Sequence, residues 1–274
     1  MENQAGTKLA PFFGNYVVTL SCVLKREGQL DHLNNATAFV VSIAGVWFLA
    51  TAGHVLEVLD KQKEEGTHVD WLLDDTMGSN AISDHPIPFN LAARHDYRMP
   101  HDGYDYALIE ILDHDRQLLE RNGIKPITEQ AWTQDYPQEF MSYILVGFPE
   151  EYVRSTPQAV SKEMLMADLK PIPLADVPHE LTSIKSAPRL YFWHNMEHDA
   201  APKSLVGTSG GPIFGFQADR EGNIRMWLVG IQSAQATDYP IAIVCPTRPF
   251  FHYVQQQILS LVDPTPQDNP ETAS

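Results

Sequence analysis

Gly207-Thr208-Ser209-Gly210-Gly211-Pro212 is the stretch that decides the fold of this chain. Small residues surround one serine, and the apolar pair Ile213 and Phe214 follows directly. Because glycine tolerates positive φ and close approach of the backbone, Ser209 can lie on a tight, exposed turn. Nothing in the hexapeptide can activate the serine, so a nucleophilic Ser209 needs a histidine and a carboxylate from elsewhere in the chain.

The composition limits the class of protein. The 274 residues suit one large domain or two small ones, and 43% of them are hydrophobic, which is enough for a substantial core. The formal net charge of -16 argues against a nucleic-acid-binding surface, which would be basic. Between Met1 and Phe13 no basic segment leads into an apolar run, so no signal peptide is predicted.

The two cysteines, Cys22 and Cys245, are both flanked by apolar residues. Two cysteines do not make a disulfide framework. We interpret them as reduced, buried thiols in a cytoplasmic protein, with a single bridge as the alternative.

Residues 36–53 carry no charge and are rich in Val, Ile, Phe and Trp. Ala44-Gly45 interrupts the run, and no cluster of Lys and Arg stands at either end. We interpret the stretch as two buried strands joined by a tight turn; a transmembrane helix is the alternative.

Short apolar segments separated by polar turns recur along the chain, and they predict an all-β barrel protein with a C-terminal helix. We expect a single domain over residues 1–262, made of two halves, with the helix at the end of the second half. Residues 263–274 are polar and contain proline, and we expect them to be a disordered tail. Predicted strands cover residues 16–24, 38–43, 46–51, 69–73, 106–112, 141–147, 163–169, 190–195, 212–216, 226–233 and 241–245, and predicted helices cover 55–63, 113–122 and 249–261.

Two predicted strand ends carry candidate partners for Ser209. His54 follows a buried strand whose small last residues leave space around an imidazole, a group that can act as a base near neutral pH. Asp105 leads into another apolar strand, where a carboxylate is costly unless it is hydrogen-bonded, and orienting an imidazole would satisfy it. Taken singly, His54 could be a packed histidine and Asp105 a turn residue, and Asp102 is a rival carboxylate farther out in a polar loop.

Taken together, these segments resemble the three signature segments of the chymotrypsin-like (trypsin-like) serine proteases, in that family's order of His, Asp and Ser. The segments are Thr51-Ala52-Gly53-His54, Asp105-Tyr106-Ala107-Leu108 and the hexapeptide around Ser209. Val229–Ser233 resembles the strand that lines the substrate cleft of the family, and Gly147-Phe148-Pro149 resembles a turn common in its bacterial members. In outline the resemblance covers residues 16–261.

The resemblance implies two six-stranded antiparallel β-barrels with a catalytic triad between them, the N-terminal barrel over about 9–122 and the C-terminal barrel and helix over about 136–262. Ser209 would be the nucleophile, His54 the base and then the acid, and Asp105 the residue that orients the imidazole. The backbone N–H groups of Gly207 and Ser209 match the oxyanion hole of the family. Ser233 matches a serine that supports the buried aspartate, and Ser233, Ala234 and Gln235 would pair with the substrate as an added strand.

The chain departs from the digestive enzymes of the family at two positions. Those enzymes carry an aspartate before the catalytic serine, which pairs with a new N-terminus freed by cleavage, whereas Thr208 stands here. Val55 follows His54 where those enzymes have a half-cystine. Both departures fit bacterial and viral intracellular-type members, and they leave open whether the loop around Ser209 is preformed or needs a trigger.

The position that forms the base of the specificity pocket in trypsin-like enzymes is Lys203 here. A lysine there would favour an acidic side chain at the cleavage site; the alternative is a remodelled loop with Lys203 in solvent. Gln232 stands where glutamate-specific members carry histidine, which weakens the acidic preference. Other residues expected to shape this pocket are Ser204, Leu205 and Ala234.

The histidines outside the triad suggest no cofactor. His95, His101 and Asp102 lie close in sequence, as do His194 and His198, but packed or solvated histidines are a simpler interpretation than a metal site.

The sequence therefore predicts a cofactor-free serine endopeptidase that acts on a protein or peptide and is held in check by a regulatory protein partner. The alternatives are a catalytically silent scaffold with this fold and an esterase that uses the same triad.

Overall fold

The computed structural model describes residues 4–25, 32–64, 68–78, 86–99, 104–133, 135–155, 160–182, 187–194 and 204–262. Asp102, His101, His198, Lys203 and the predicted tail at 263–274 lie outside these ranges.

The N-terminal part of the chain forms one antiparallel sheet, which we call the N-terminal sheet. Its seven strands lie in the order β5-β4-β1-β2-β3-β7-β6. The strands are β1 (Val17–Lys25), β2 (His32–Ile43), β3 (Val46–Thr51), β4 (His68–Asp74), β5 (Ile87–Pro88), β6 (Asp96–Arg98) and β7 (Ala107–Glu110).

The C-terminal part forms a closed barrel of six strands in the order β11-β12-β15-β14-β13-β8, and a separate hairpin, β9–β10, leaves it after β8. We call it the C-terminal barrel. The strands are β8 (Ser142–Gly147), β9 (Val153–Ser155), β10 (Val160–Lys162), β11 (Leu165–Pro171), β12 (Leu190–His194), β13 (Pro212–Ala218), β14 (Ile224–Gln235) and β15 (Ile241–Pro246).

The described ranges contain few helices. They are α1 (Gln4–Phe13), α2 (Gly53–Glu64), α3 (Asp113–Arg121), α4 (His179–Thr182) and α5 (Thr247–Val262). The prediction was an all-β fold of two six-stranded barrels with a C-terminal helix, and the structure bears it out in part: the chain is mostly β, with one closed six-stranded barrel and a C-terminal helix. A second closed barrel is not found in the described ranges, because no pairing joins β5 to β6 and the N-terminal sheet stays open there.

The uncharged stretch at residues 36–53 falls on β2 and β3, which pair through the turn at Ala44 and Gly45. Both turn residues have positive φ, 50° and 81°, a conformation that glycine adopts without strain and that makes the tight reversal possible. Within the described ranges no helix is both long enough and apolar enough to cross a membrane.

One hydrophobic core cluster connects the two sheets. Phe13, from α1, stacks on Phe214 of the barrel with ring centroids 5.2 Å apart, and Tyr106 stacks on Phe250 at 4.6 Å. Burying side chains of this size stabilises the folded chain by roughly 1.5–3 kcal/mol each.

The two cysteines are free and buried, and burial raises the pKa of the Cys22 thiol to about 11.

Candidate active site

His54 and Asp105 are joined by two hydrogen bonds. The backbone N–H of His54 donates to Asp105 Oδ1 at 2.7 Å, and His54 Nδ1 lies 2.8 Å from Asp105 Oδ2. Gly53 permits this approach, since a Cβ on it would lie 3.0 Å from the carbonyl oxygen of Tyr106 and 3.3 Å from Asp105 Oδ1. The end of β3 and the residue before Tyr106 therefore bring together the predicted base and carboxylate. The other ring nitrogen of His54 has no hydrogen-bond partner among the described residues.

Asp105 is buried, and a third donor reaches it from the C-terminal barrel. Ser233 Oγ donates to Asp105 Oδ2 at 2.5 Å. Burial acts to raise the pKa of Asp105, but the hydrogen bonds and charge of His54 and the Ser233 hydroxyl outweigh it and lower the pKa to about 2. The carboxyl is consequently ionised at neutral pH and able to orient an imidazole.

Ser233 reaches Asp105 because β14 is irregular at that residue. Gln232 pairs with Val244 and Ala234 pairs with Ile243, so that Ser233 has no partner of its own in β15. A bulge of this kind turns a side chain away from the regular alternation of a strand. The hydroxyl of Tyr106, the residue after Asp105, donates to the carbonyl of Pro246. This hydrogen bond also links the segment around Asp105 to the barrel.

Residues 205–211, which we call the serine loop, lie against the end of β3. A Cβ on Gly210 would collide with Thr37 O and Thr51 Oγ1 and would lie 3.0 Å from the backbone nitrogen of Ala52. The Gly210 N–H also donates to the carbonyl of Gln232 at 2.9 Å, one residue before Ser233. Ser209 is thus placed beside the strand end that carries His54 and the strand that supports Asp105, and it is half-buried.

The serine loop leaves two backbone N–H groups without acceptors in the described part of the chain. They belong to Gly207 and Ser209. The other five amides of the loop donate hydrogen bonds, and they belong to Leu205, Val206, Thr208, Gly210 and Gly211. Two free N–H groups on either side of one residue can bind an anionic oxygen.

Thr208 is fully buried and is bonded within its own loop. Its hydroxyl donates to the carbonyl of Leu205 at 2.7 Å, and its backbone N–H donates to the same carbonyl at 3.0 Å. A Cβ on Gly147 would lie 2.9 Å from Thr208 Cβ, so the threonine fills the space beside that glycine. The hydroxyl and the backbone N–H of Thr208 are therefore both satisfied within the loop itself.

The predicted substrate-binding residues differ in burial and in the hydrogen bonds that they already make. Ser204, Ala234 and Gln235 are half-buried, but Gln235 Oε1 already accepts the Leu205 N–H at 2.7 Å. The Leu205 side chain lies in the barrel core and is 1% exposed, so only its backbone can face a ligand. Lys203 lies outside the described residues.

The remaining polar candidates do not assemble into a site within the described ranges. Among those residues no group of three or more His, Cys, Asp or Glu could hold a metal ion. His194 is buried, and neither ring nitrogen has a hydrogen-bond partner among the described residues. Burial lowers the pKa of His194, which favours the neutral ring.

Thr37 and the backbone of Glu150 contact the serine loop, yet their sequence contexts mark neither of them. Thr37 Oγ1 donates to the carbonyl of Gly207 at 2.9 Å, and the Glu150 N–H donates to the carbonyl of Val206 at 2.8 Å. Thr37 lies between two alanines in β2, and a backbone amide has no sequence signature, so only the three-dimensional arrangement reveals these contacts.

Comparison with known proteins gives matches among solved structures. No family model matches the chain, and no curated protein matches it. Among solved structures, the chain is similar to a thermostable serine protease from an extremophilic microorganism, with 12% sequence identity, a TM-score of 0.45, and coverage of 90% of this chain and 99% of that one.

Proposed function

We propose that this chain is a serine endopeptidase of the chymotrypsin-like type, with Ser209 as nucleophile, His54 as general base and Asp105 as the residue that orients the imidazole. One observation carries the proposal. Asp105 holds His54 through two hydrogen bonds, and Gly210, next to Ser209, lies against the strand end that leads into His54. In this interpretation the open N-terminal sheet is the counterpart of the first barrel.

In the proposed reaction Ser209 Oγ attacks the carbonyl carbon of the scissile peptide bond while His54 takes the hydroxyl proton. The tetrahedral intermediate collapses as His54 gives that proton to the leaving amine, and the C–N bond breaks to leave an acyl-enzyme. Water, deprotonated by His54, then hydrolyses the ester and restores Ser209. Asp105 stabilises the imidazolium in both halves of the cycle, since it is ionised and accepts from His54 Nδ1.

The negative charge that develops on the carbonyl oxygen would be bound by the N–H groups of Gly207 and Ser209. Their lack of other acceptors among the described residues supports this assignment. Removing one such donor lowers kcat by about a hundredfold or more in enzymes of this mechanism.

The substrate is proposed to be a protein or peptide that lies along Ser233, Ala234 and Gln235 as an added strand. Within this proposal, Lys203 would select an acidic residue at the cleavage site. The two free, buried cysteines support a reducing setting such as the cytoplasm.

The test is the turnover of a mixed peptide library and of a simple ester by the wild-type chain, by Ser209→Ala and by Asp105→Asn. We expect peptide cleavage by the wild type only, with a loss of roughly 10⁴-fold in kcat for Asp105→Asn. Ester turnover without peptide cleavage would identify an esterase, and the absence of both would identify a silent scaffold; either result contradicts the proposal.

A further inference from the structure

We propose that Thr37 and the backbone amide of Glu150 hold the serine loop in its competent conformation, so that the intact chain needs no proteolytic activation. This inference rests on the proposed function. Both groups are positioning groups, because they act on the loop rather than on the substrate.

Thr37 bridges the serine loop and the turn at residues 147–150. Its hydroxyl donates to Gly207 O at 2.9 Å and accepts the Phe148 N–H at 2.9 Å, while its own N–H donates to Gly207 O at 3.2 Å. Thr37 is fully buried, and its carbonyl accepts the Thr51 hydroxyl at 2.9 Å. One side chain of the N-terminal sheet therefore fixes two segments of the C-terminal half.

The orientation of the two free amides is restricted because the carbonyls of their own peptide groups accept hydrogen bonds. The N–H and C=O of a trans peptide point in opposite directions. Val206 O accepts the Glu150 N–H at 2.8 Å, which directs the N–H of Gly207 away from the turn. Thr208 O accepts the Gly211 N–H at 2.7 Å, which directs the N–H of Ser209 away from Gly211. Rotation of either peptide group would break one of these bonds.

Close packing further restricts the loop at Gly207. This residue has φ of +90°, and a Cβ on it would lie 2.7 Å from the nitrogen of Glu150 and 2.8 Å from the carbonyl oxygen of Phe148. A glycine is therefore required for the loop to approach the turn this closely.

A buried ion pair supports the turn from its other side. Lys162 of β10 lies with its ammonium 5.1 Å from the centroid of the Phe148 ring and 2.5 Å from Asp74 Oδ2 at the end of β4. The side chains of Lys162 and Asp74 are 5% and 13% exposed. The turn is consequently held by both halves of the molecule, and the loop that rests on it has an internal support in place of a freed N-terminus.

Two variants remove the proposed contacts, and the first of them does so with little change in shape. Thr37→Val replaces the hydroxyl with a methyl group, and Thr37→Ser keeps the hydroxyl. Glu150→Pro removes the amide hydrogen and puts a Cδ where that hydrogen pointed. Glu150 is the first residue of a 3-10 turn, a position that accepts proline, and the preceding Pro149 has ψ of 141°, a conformation that a residue before proline adopts. A folding defect in one variant leaves the other as the test.

The matched controls are Thr19→Val and Glu150→Ala. Thr19 is the residue opposite Thr37 in the β1–β2 pair, it is fully buried, and its hydroxyl has no hydrogen-bond partner among the described residues. Glu150→Ala keeps the backbone amide and removes only an exposed side chain.

The measurements are kcat and KM for a peptide substrate, and the inhibition constant of a peptide aldehyde, whose adduct with the serine places an anionic oxygen between the two amides. We expect Thr37→Val and Glu150→Pro to lower kcat by about 10- to 100-fold and to weaken the aldehyde in parallel, with KM within about threefold of wild type. Thr37→Ser and both controls should stay within about threefold in every constant. The proposal fails if Thr37→Val and Glu150→Pro keep wild-type kcat, or if Thr19→Val loses as much as Thr37→Val.

A final comparison separates this inference from the proposed function. The intact chain and a chain nicked by limited proteolysis are both treated with a fluorophosphonate. Labelling of the intact chain supports the inference. Labelling that requires the nick overturns the inference and leaves the proposed function standing, whereas no labelling of either form overturns both.

Discussion

Ser233 Oγ donates a 2.5 Å hydrogen bond to Asp105 Oδ2, across the boundary between the C-terminal barrel and the N-terminal sheet. The same carboxylate oxygen lies 2.8 Å from His54 Nδ1. The bond therefore links the strand proposed to bind substrate to the residue proposed to orient the base.

Removal of this hydroxyl is predicted to affect both rate and acid stability. In Ser233→Ala the pKa of Asp105 should rise, because one of the hydrogen bonds that lower it is lost. We expect kcat to fall by about tenfold, the cost of one hydrogen bond to a charged group. Ser260→Ala, in which the lost hydroxyl binds only a carbonyl of its own helix, is the control and should leave kcat unchanged.

The pH dependence of stability follows from the sign of the same shift. The pKa of Asp105 in the folded chain, about 2, lies below its ordinary value of 3.8, so the carboxylate stabilises the fold above the ordinary value. This contribution is lost as pH falls toward and through 2. The loss begins near the ordinary value in both proteins, because the unfolded chains are alike there, but it should be smaller in Ser233→Ala and complete at a higher pH, because the folded pKa of that variant is higher. Urea unfolding at several pH values between 2 and 6 measures this difference, and equal losses of stability in the two proteins would refute this role of Ser233.

Thr208→Asp should not create an activation switch. Thr208 is fully buried and bonded to Leu205 O, so an aspartate there would bury a carboxylate beside a carbonyl acceptor. We expect a loss of about 3 kcal/mol in the free energy of unfolding, and lower activity of the intact chain. Thr208→Ser keeps the hydroxyl and should cost less than half as much. An aspartate variant as stable and as active as the wild type would contradict the structural role of Thr208.

The Lys162–Asp74 ion pair should matter for stability because it is buried. Lys162→Met leaves a mostly buried carboxylate without its cation, and we expect a loss of about 3 kcal/mol in urea unfolding. The double variant Lys162→Met with Asp74→Leu should recover part of that loss. Glu120→Gln breaks the exposed pair with Arg116 and should cost less than about 0.5 kcal/mol. Equal losses for the buried and exposed pairs would disagree with this account.

Lys203 provides a prediction about specificity that depends on the sequence alone. If its ammonium lines the pocket, a peptide library should show cleavage after acidic residues by the wild type, and Lys203→Ala should lose that preference while still cleaving other sites. An unchanged cleavage profile would place Lys203 outside the pocket.

Local patterns predicted most of the strands, since alternating or continuous apolar runs determine where a strand is buried. The strand at Val46–Thr51 has the bounds expected from its sequence, and the predicted helix after His54 begins two residues early, at Gly53. Helix α1 is not evident in the sequence, because Pro11 lies within it and because its burial depends on Phe13 packing against distant Phe214. The short strands β5 and β6 are likewise too brief for a periodic signal.

The candidate site also contains residues that the sequence reveals and residues that it does not. His54 and Asp105 could be selected from the sequence because each lies at the end of an apolar strand, and the structure joins them by hydrogen bonds. The supports of the serine loop could not be selected. Thr37 is 170 residues from Gly207, so this contact arises only when the two sheets pack together. Glu150 acts through a backbone amide, which leaves no signal in the sequence.

The most direct test of the central claim is the stoichiometry of fluorophosphonate labelling of the intact chain, read by mass spectrometry at residue 209. The account predicts one label per wild-type chain on Ser209, much slower labelling of His54→Ala and Asp105→Asn, and none of Ser209→Ala. An unlabelled wild type, or equal labelling of Ser209→Ala, would contradict it.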